Sequence, residues 1–214
     1  MRSAIFLLLL WSFCLVGNGQ DSSGADKAGT PARPLSIGLV VDNSGSYRAV
    51  LERVISSVNS VIDDMKEGDQ AFLVTFADTQ KISLRQEITG DRSELRDAAE
   101  NMYIQGGPTA MLDAVLFSAR YMAEQSKPDE DRARVLLLIS DGDERKSDSN
   151  VEQVVTALRS SKIKVFVLGL YDERFHTKVI DRLIKETGGA KFVPRFPRET
   201  PAAVSTLLAL IREG

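Results

Sequence analysis

The sequence predicts a doubly wound α/β fold, a mostly parallel sheet with helices on both faces. Three observations carry this reading. Runs of strand length that are apolar almost throughout recur along the chain, as strands buried on both faces require. Amphipathic helical stripes separate them, so successive strands are joined by right-handed crossovers. Polar residues that can do chemistry follow directly after the apolar runs, where such folds place their ligands.

Ser36-Ile37-Gly38-Leu39-Val40-Val41 is the first buried strand. Residues 48–66 carry Val50, Val54, Val58, Val61, Ile62 and Met65 at helical spacing. Ala71 to Phe76 is a second buried strand, and Lys81 to Ile88 alternates apolar and polar residues as an edge strand does. Asp91 to Asn101 and Thr109 to Gln125 read as helices. Val135-Leu136-Leu137-Leu138-Ile139 is the most hydrophobic strand of the body. Val151 to Arg159 is a helix, Val165 to Leu168 a strand, and Thr177 to Thr187 a helix stopped by Gly188-Gly189. Ala190 to Val193 is a short last strand and residues 201–212 a last helix.

The chain has 214 residues, 43% hydrophobic and 27% charged, with a formal net charge of -3. That is an ordinary globular composition, which excludes collagen, coiled coil and wholesale disorder. A slightly acidic balance argues against nucleic-acid binding, which calls for a basic surface. Met1-Arg2-Ser3, the apolar run Ala4 to Val16 and the small residues Gly17-Asn18-Gly19 form the pattern of a secretory signal peptide over residues 1–19. The run is too short to cross a membrane comfortably, although an uncleaved anchor is the alternative. Trp11-Ser12-Phe13 is a poor lead-in for a lipidated Cys14. Cleavage removes the only Cys and the only Trp, so the exported chain is held by its core rather than by disulfides. It is expected to be secreted or periplasmic, with no membrane insertion. Residues 20–34 are a flexible leader rich in Gly, Ser, Asp and Pro, and residues 35–214 are one domain.

Asp42-Asn43-Ser44-Gly45-Ser46 follows the first strand, and Ser140-Asp141-Gly142-Asp143-Glu144 follows the Val135–Ile139 strand. Between them Gly106-Gly107-Pro108-Thr109 leads into a helix. If the two strands are neighbours, Asp42, Ser44, Ser46, Thr109 and Asp141 converge. Two carboxylates and three hydroxyls with no His or Cys form an all-oxygen set, suited to Mg²⁺, Mn²⁺ or Ca²⁺. Neutral hydroxyl ligands leave such an ion electrophilic, ready to accept an outside carboxylate. Taken singly, Asp42 reads as a turn residue and Ser44 or Ser46 as a helix cap. Thr109 is compatible with capping the helix after it. Asp113, one turn into that helix, is expected to hold loops by hydrogen bonds. Asp143, Glu144 and Asp148 read as a solvated loop, Asp78 as a turn residue, and His176 as a surface residue without catalytic role. Arg195 and Arg198 read as surface residues, and Asp129-Glu130-Asp131 as a solvated connection.

Asp42-x-Ser44-x-Ser46, then Thr109, then Asp141 within Ser140-Asp141-Gly142 resemble the metal-ion-dependent adhesion site of von Willebrand factor type A domains, shared with integrin I domains. The likeness covers about residues 35–213. It implies a Rossmann-like six-stranded sheet whose short third strand runs antiparallel at an edge. It implies Mg²⁺ held by Ser44, Ser46 and commonly Thr109, with Asp42 and Asp141 acting directly or through water. It also implies an adhesion or scaffold role in which a protein partner's acidic side chain completes the coordination shell. In some members Thr109 changes its contact as the last helix moves; here Pro108 stiffens that loop.

Two other readings compete with a binding module. A phosphatase of the haloacid type places Asp at the first strand end but needs a second carboxylate where Ser44 stands. A serine hydrolase needs a Gly-x-Ser-x-Gly elbow and a His partner, and neither Asn43-Ser44 nor His176 supplies them. The expectation is therefore that the chain is not an enzyme. A domain whose site is vestigial is the remaining alternative.

Overall fold

The computed structural model describes residues 33–127 and 131–213. The expected signal segment, most of the leader and Asp129-Glu130 lie outside these residues. The strands are β1 (Leu35–Asp42), β2 (Gln70–Phe76), β3 (Ile82–Thr89), β4 (Ala133–Ile139), β5 (Ile163–Leu168) and β6 (Lys191–Phe192). They form one six-stranded sheet in the order β3-β2-β1-β4-β5-β6. All neighbours pair parallel except β2 and β3, which are antiparallel. The chain moves outward from β1 to β2 and β3, then returns to place β4 on the other flank of β1. The reversal lies between β1 and β4, so a crevice opens beyond Asp42 and Ile139.

The helices are α1 (Leu51–Asp64), α2 (Arg92–Glu100), α3 (Met111–Gln125), α4 (Val151–Ser160), α5 (Lys178–Thr187) and α6 (Thr200–Glu213). The even spacing of apolar residues in β1 divides the core. Leu35, Ile37, Leu39 and Val41 face the layer of α1, α2 and α6, while Val40 joins Leu136, Leu138, Val165 and Val167 against α3, α4 and α5. Both faces of the central strands are therefore dry. β3 pairs through register shifts beside Ala71, Leu73 and Val74, as the irregular edge that its half-polar sequence predicts. Asn150 and Gln153 form a reciprocal cap at the start of α4. Gly188 ends α5 in the left-handed conformation at φ 78, the stop read from Gly188-Gly189.

Three boundaries differ from the sequence reading. The helix expected over 48–66 is broken: a 3₁₀ turn covers Gly45–Ala49, and α1 starts after Val50. The turn carries Tyr47 inward, fully buried, where its hydroxyl donates to the Leu170 carbonyl at 2.7 Å. The helix expected from Thr109 starts at Met111, because Thr109 is held in the site loop. The last strand is only Lys191–Phe192.

Both ends of the domain meet at Asp69. This buried carboxylate accepts the Leu35 amide at 2.8 Å and the Lys66 amide at 2.7 Å. The Arg212 guanidinium, from the last turn of α6, reaches it at 2.7 Å and also binds Asp64. Burial pushes the Asp69 carboxyl up, but Arg212 and the two amides outweigh it and hold it below the usual range. Stability from this group is present above the ordinary carboxyl range and lost as pH falls through the lowered pKa. Asp69→Ala removes one of the two carboxylates bound by the half-buried Arg212 guanidinium and leaves the Leu35 and Lys66 amides without their acceptor; it is expected to cost about 3 kcal/mol, or roughly 6–12 °C in Tm. Thermal melts at pH 7 and pH 3 check this: the gap between variant and wild type should narrow at the lower pH.

Candidate functional site

The crevice is built from loops that leave the ends of β1 and β4. Asp42 closes β1 and is fully buried. Its Oδ1 accepts the Ser44 amide at 2.9 Å and its Oδ2 accepts the Ser140 hydroxyl at 3.2 Å. These bonds fold the Asp42-x-Ser44 loop back over the strand end. Ser44 Oγ lies 3.2 Å from Ser46 Oγ, and Ser46 donates to Asp141 Oδ2 at 3.0 Å. Ser44, Ser46, Thr109 and Asp141 line one open cavity of about 740 Å³. Four of the five residues singled out in the sequence thus share a cavity, and the fifth, Asp42, lies beneath it, tied to Ser44 and Ser140.

The loops are fixed from outside the motif. The Thr109 carbonyl accepts the Arg145 and Lys146 amides at 3.0 and 3.1 Å, tying the loop before α3 to the loop after β4. Thr109 does not cap α3. The first-turn amides of Leu112 and Asp113 are satisfied by Glu144 Oε2 at 2.7 Å and Ser147 Oγ at 3.1 Å. Glu144 is therefore no solvated acid: it also accepts the Ser147 amide and hydroxyl. Its negative charge at the start of α3 suits the helix dipole. Asp113 returns the tie by accepting the Asp148 and Ser149 amides at 2.9 and 2.8 Å, the loop-holding role expected of it. Asp143 pairs with Arg145 at 2.5 Å, and Asp148 is exposed.

His176 is half-buried on the cavity wall rather than on the open surface. Its amide donates to the Asp141 carbonyl at 2.7 Å. Gly142, at φ 78, leaves room for this approach, since a Cβ there would stand 1.9 Å from the His176 carbonyl oxygen. Sequence reading missed Ser140, Glu144, Ser147 and Tyr47. Ser140 sits inside the quoted motif and could have been weighed as an Asp42 partner. Tyr47 bonds a residue 123 positions away, a contact without local signature.

Two carboxylates share this site with no basic side chain bonded to either. Burial pushes the Asp42 carboxyl up to about 7; the Ser44 and Ser140 hydrogen bonds pull against this, and the Asp141 charge adds to it. Tyr47 is driven well up by burial, then by Asp42 and Asp141. The site has an unmet demand for positive charge. Two of its oxygen separations, both hydrogen bonds here, also match the edge of a small ion's shell. Neighbouring oxygens on an octahedron of radius about 2.1 Å stand about 3.0 Å apart, and the Ser44–Ser46 and Ser46–Asp141 separations are 3.2 and 3.0 Å. The donor set thus fits a hard divalent cation. It is not a carboxylate-rich centre: among the described residues no three His, Cys, Asp or Glu side chains gather as metal ligands.

Comparison with known proteins places this fold. The chain is 26% identical over 159 residues to the uncharacterized protein sll0103 of Synechocystis sp., a match covering 73% of this chain and 37% of that protein. It therefore spans well under half the length of that relative. Among solved structures, an aerotolerance-related membrane protein from Bacteroides fragilis superposes with a TM-score of 0.68 at 20% identity, over 84% of this chain and all (100%) of that one. A von Willebrand factor type A protein from Catenulispora acidiphila gives 0.69 at 16% identity, over 84% of this chain and 43% of that chain. At such identities the structural likeness is one of fold. The family match reaches further: residues 36–199 fit the von Willebrand factor type A domain, and the protein belongs to that family.

Proposed function

We propose that this domain is an exported, cation-dependent protein-binding module that captures an acidic side chain of its partner. The observation that carries the reading is the buried Asp42–Asp141 pair with Ser44, Ser46 and Thr109 at the same crevice. Ser44, Ser46 and Thr109 would hold Mg²⁺, or Mn²⁺ or Ca²⁺, directly, with Asp42 and Asp141 bound directly or through water. When bound, the ion supplies the missing positive charge and a coordination position for an outside carboxylate. The chain's own residues do the rest. Ser140 and the Ser44 amide orient Asp42, His176 fixes the backbone at Asp141, and Glu144 and Asp113 hold the surrounding loops in place.

A binding role suits this arrangement better than catalysis. Ser46 donates to a carboxylate, which does not prepare a hydroxyl for nucleophilic attack as an imidazole does. Export is supported by the signal pattern of residues 1–19. No helix among the described residues is long and apolar enough to cross a membrane. The relative from Bacteroides fragilis is described as a membrane protein, which favours a place at the cell envelope.

Millimolar Mg²⁺ is expected to raise Tm and EDTA to reverse the gain, by about 2.7 kcal/mol at a hundredfold excess over Kd. Melting curves indifferent to both additions would sink the reading. Asp42→Ala should abolish the Mg²⁺ response and the capture of a carboxylate-bearing peptide, while circular dichroism retains the folded signature. pH gives a third measure. Between the ordinary carboxyl value of 3.8 and about 7, native Asp42 holds a proton that the unfolded chain has released. Metal-free stability linked to this group therefore falls as pH rises through that window. Asp42→Asn should lack that fall and, in EDTA at pH 8, melt several degrees above wild type; denaturant titrations from pH 4 to pH 8 would show it.

A further inference from the structure

At the cavity and on segments linked to it through Arg53, four arginines have no acidic partner among the described residues. Arg48 lies in the same 3₁₀ turn as Ser46 and lines the cavity. Arg53, in α1, is half-buried beside Tyr47 and Tyr171, and burial lowers its pKa. Its Nη2 donates to the Pro194 carbonyl at 3.3 Å, while its Nε is buried without a hydrogen-bond partner. Pro194 leads directly into exposed Arg195 and Phe196, and the Arg198 guanidinium lies 4.9 Å over the half-exposed Phe196 ring. None of these four arginines has a carboxylate partner among the described residues. The acids closest in sequence do not neutralise them. Glu52 is exposed on α1, and Glu199 is engaged by the Arg195 and Phe196 amides.

We infer that the partner presents a polypeptide segment with clustered Asp or Glu residues. One carboxylate enters the crevice, and its neighbours lie along Arg48, Arg53, Arg195 and Arg198, with Phe196 as an apolar contact. This inference rests on the carboxylate-capturing role proposed above and extends it from a single acid to an acidic stretch. The loop after β5 gives the track a direction. It contributes Asp172 and Glu173 to the cavity, immediately before Arg174, and these repel an acidic segment there. Guanidinium forks suit carboxylates in pairs, which a stretch of acids provides.

The test uses two synthetic peptides, hexaglutamate and a glycine peptide holding one glutamate, titrated into the full chain with millimolar Mg²⁺ and followed by fluorescence anisotropy. Each exposed ion pair contributes little, so the expected preference for hexaglutamate is about tenfold. It should shrink between 50 and 300 mM NaCl, roughly as the Debye length does. Arg53→Gln/Arg195→Gln/Arg198→Gln should reduce the preference to about twofold and leave Mg²⁺-dependent binding of the single-glutamate peptide unchanged. The double variant Arg195→Gln/Arg198→Gln, confined to exposed positions, gives a smaller loss in the same direction if the triple variant does not fold. Equal responses of the wild type to the two peptides, including no response to either, overturn the inference. So does a preference undiminished in the double variant, or binding of anionic phospholipid vesicles that hexaglutamate fails to displace. Mg²⁺-dependent binding of the single-glutamate peptide without the preference removes the arginine track alone. A melting curve insensitive to Mg²⁺ removes the cation-dependent role beneath it.

Discussion

A buried carboxylate at the point where the sheet reverses direction is the constraint around which this domain is arranged. Asp42 sits at the end of the central strand, walled by apolar side chains on both faces of the sheet, and faces a second carboxylate, Asp141. Burying such a group is costly unless hydrogen bonds or a positive charge compensate. The chain supplies the hydrogen bonds through the Ser44 amide and the Ser140 hydroxyl. Among the described residues it bonds no basic side chain to either carboxylate. The positions of the neighbouring loops follow from keeping that arrangement rigid while leaving one side open.

Rigidity comes from reciprocal ties between loops distant in sequence. Glu144 and Ser147 satisfy the first amides of α3, while Asp113 of α3 satisfies the amides of Asp148 and Ser149. The loop before α3, which carries Thr109, and the loop after β4, which carries Asp141, therefore move as one body. On the other flank, Tyr47 and His176 join the loop after β1 and the loop after β5 to the same centre. Supporting contacts of this kind set how accurately oxygen ligands are placed. Their distribution over four loops holds Ser44, Ser46, Thr109 and Asp141 at one crevice.

Much of the architecture was legible because it depends on periodicity. Continuous apolar strands such as Val135 to Ile139 and stripes such as Val54, Val58 and Val61 carry their environment in their spacing, and the structure places them accordingly. The alternation in Lys81 to Ile88 identified the edge strand. Side-chain ties were harder to read. Glu144 looked like one more acid in a charged loop, because its partners, Leu112 and Ser147, are brought together only by tertiary packing. Thr109 looked like a cap because it precedes a helix, yet the helix finds its cap elsewhere. The convergence of Asp42, Ser44, Ser46, Thr109 and Asp141 was legible for a topological reason: strand ends at a reversal point must meet. The break at Val50 was not, since apolar spacing runs through it unchanged.

The junction at Asp69 has a geometric consequence. It joins the first residue of β1 to the last turn of α6, at the pole from which β1 sets out. β1 then traverses the sheet and delivers Asp42 to the far pole. The first strand and the last helix thus share one anchor, at the end of the sheet opposite the crevice. Strain at that anchor can reach the crevice only along the full length of β1.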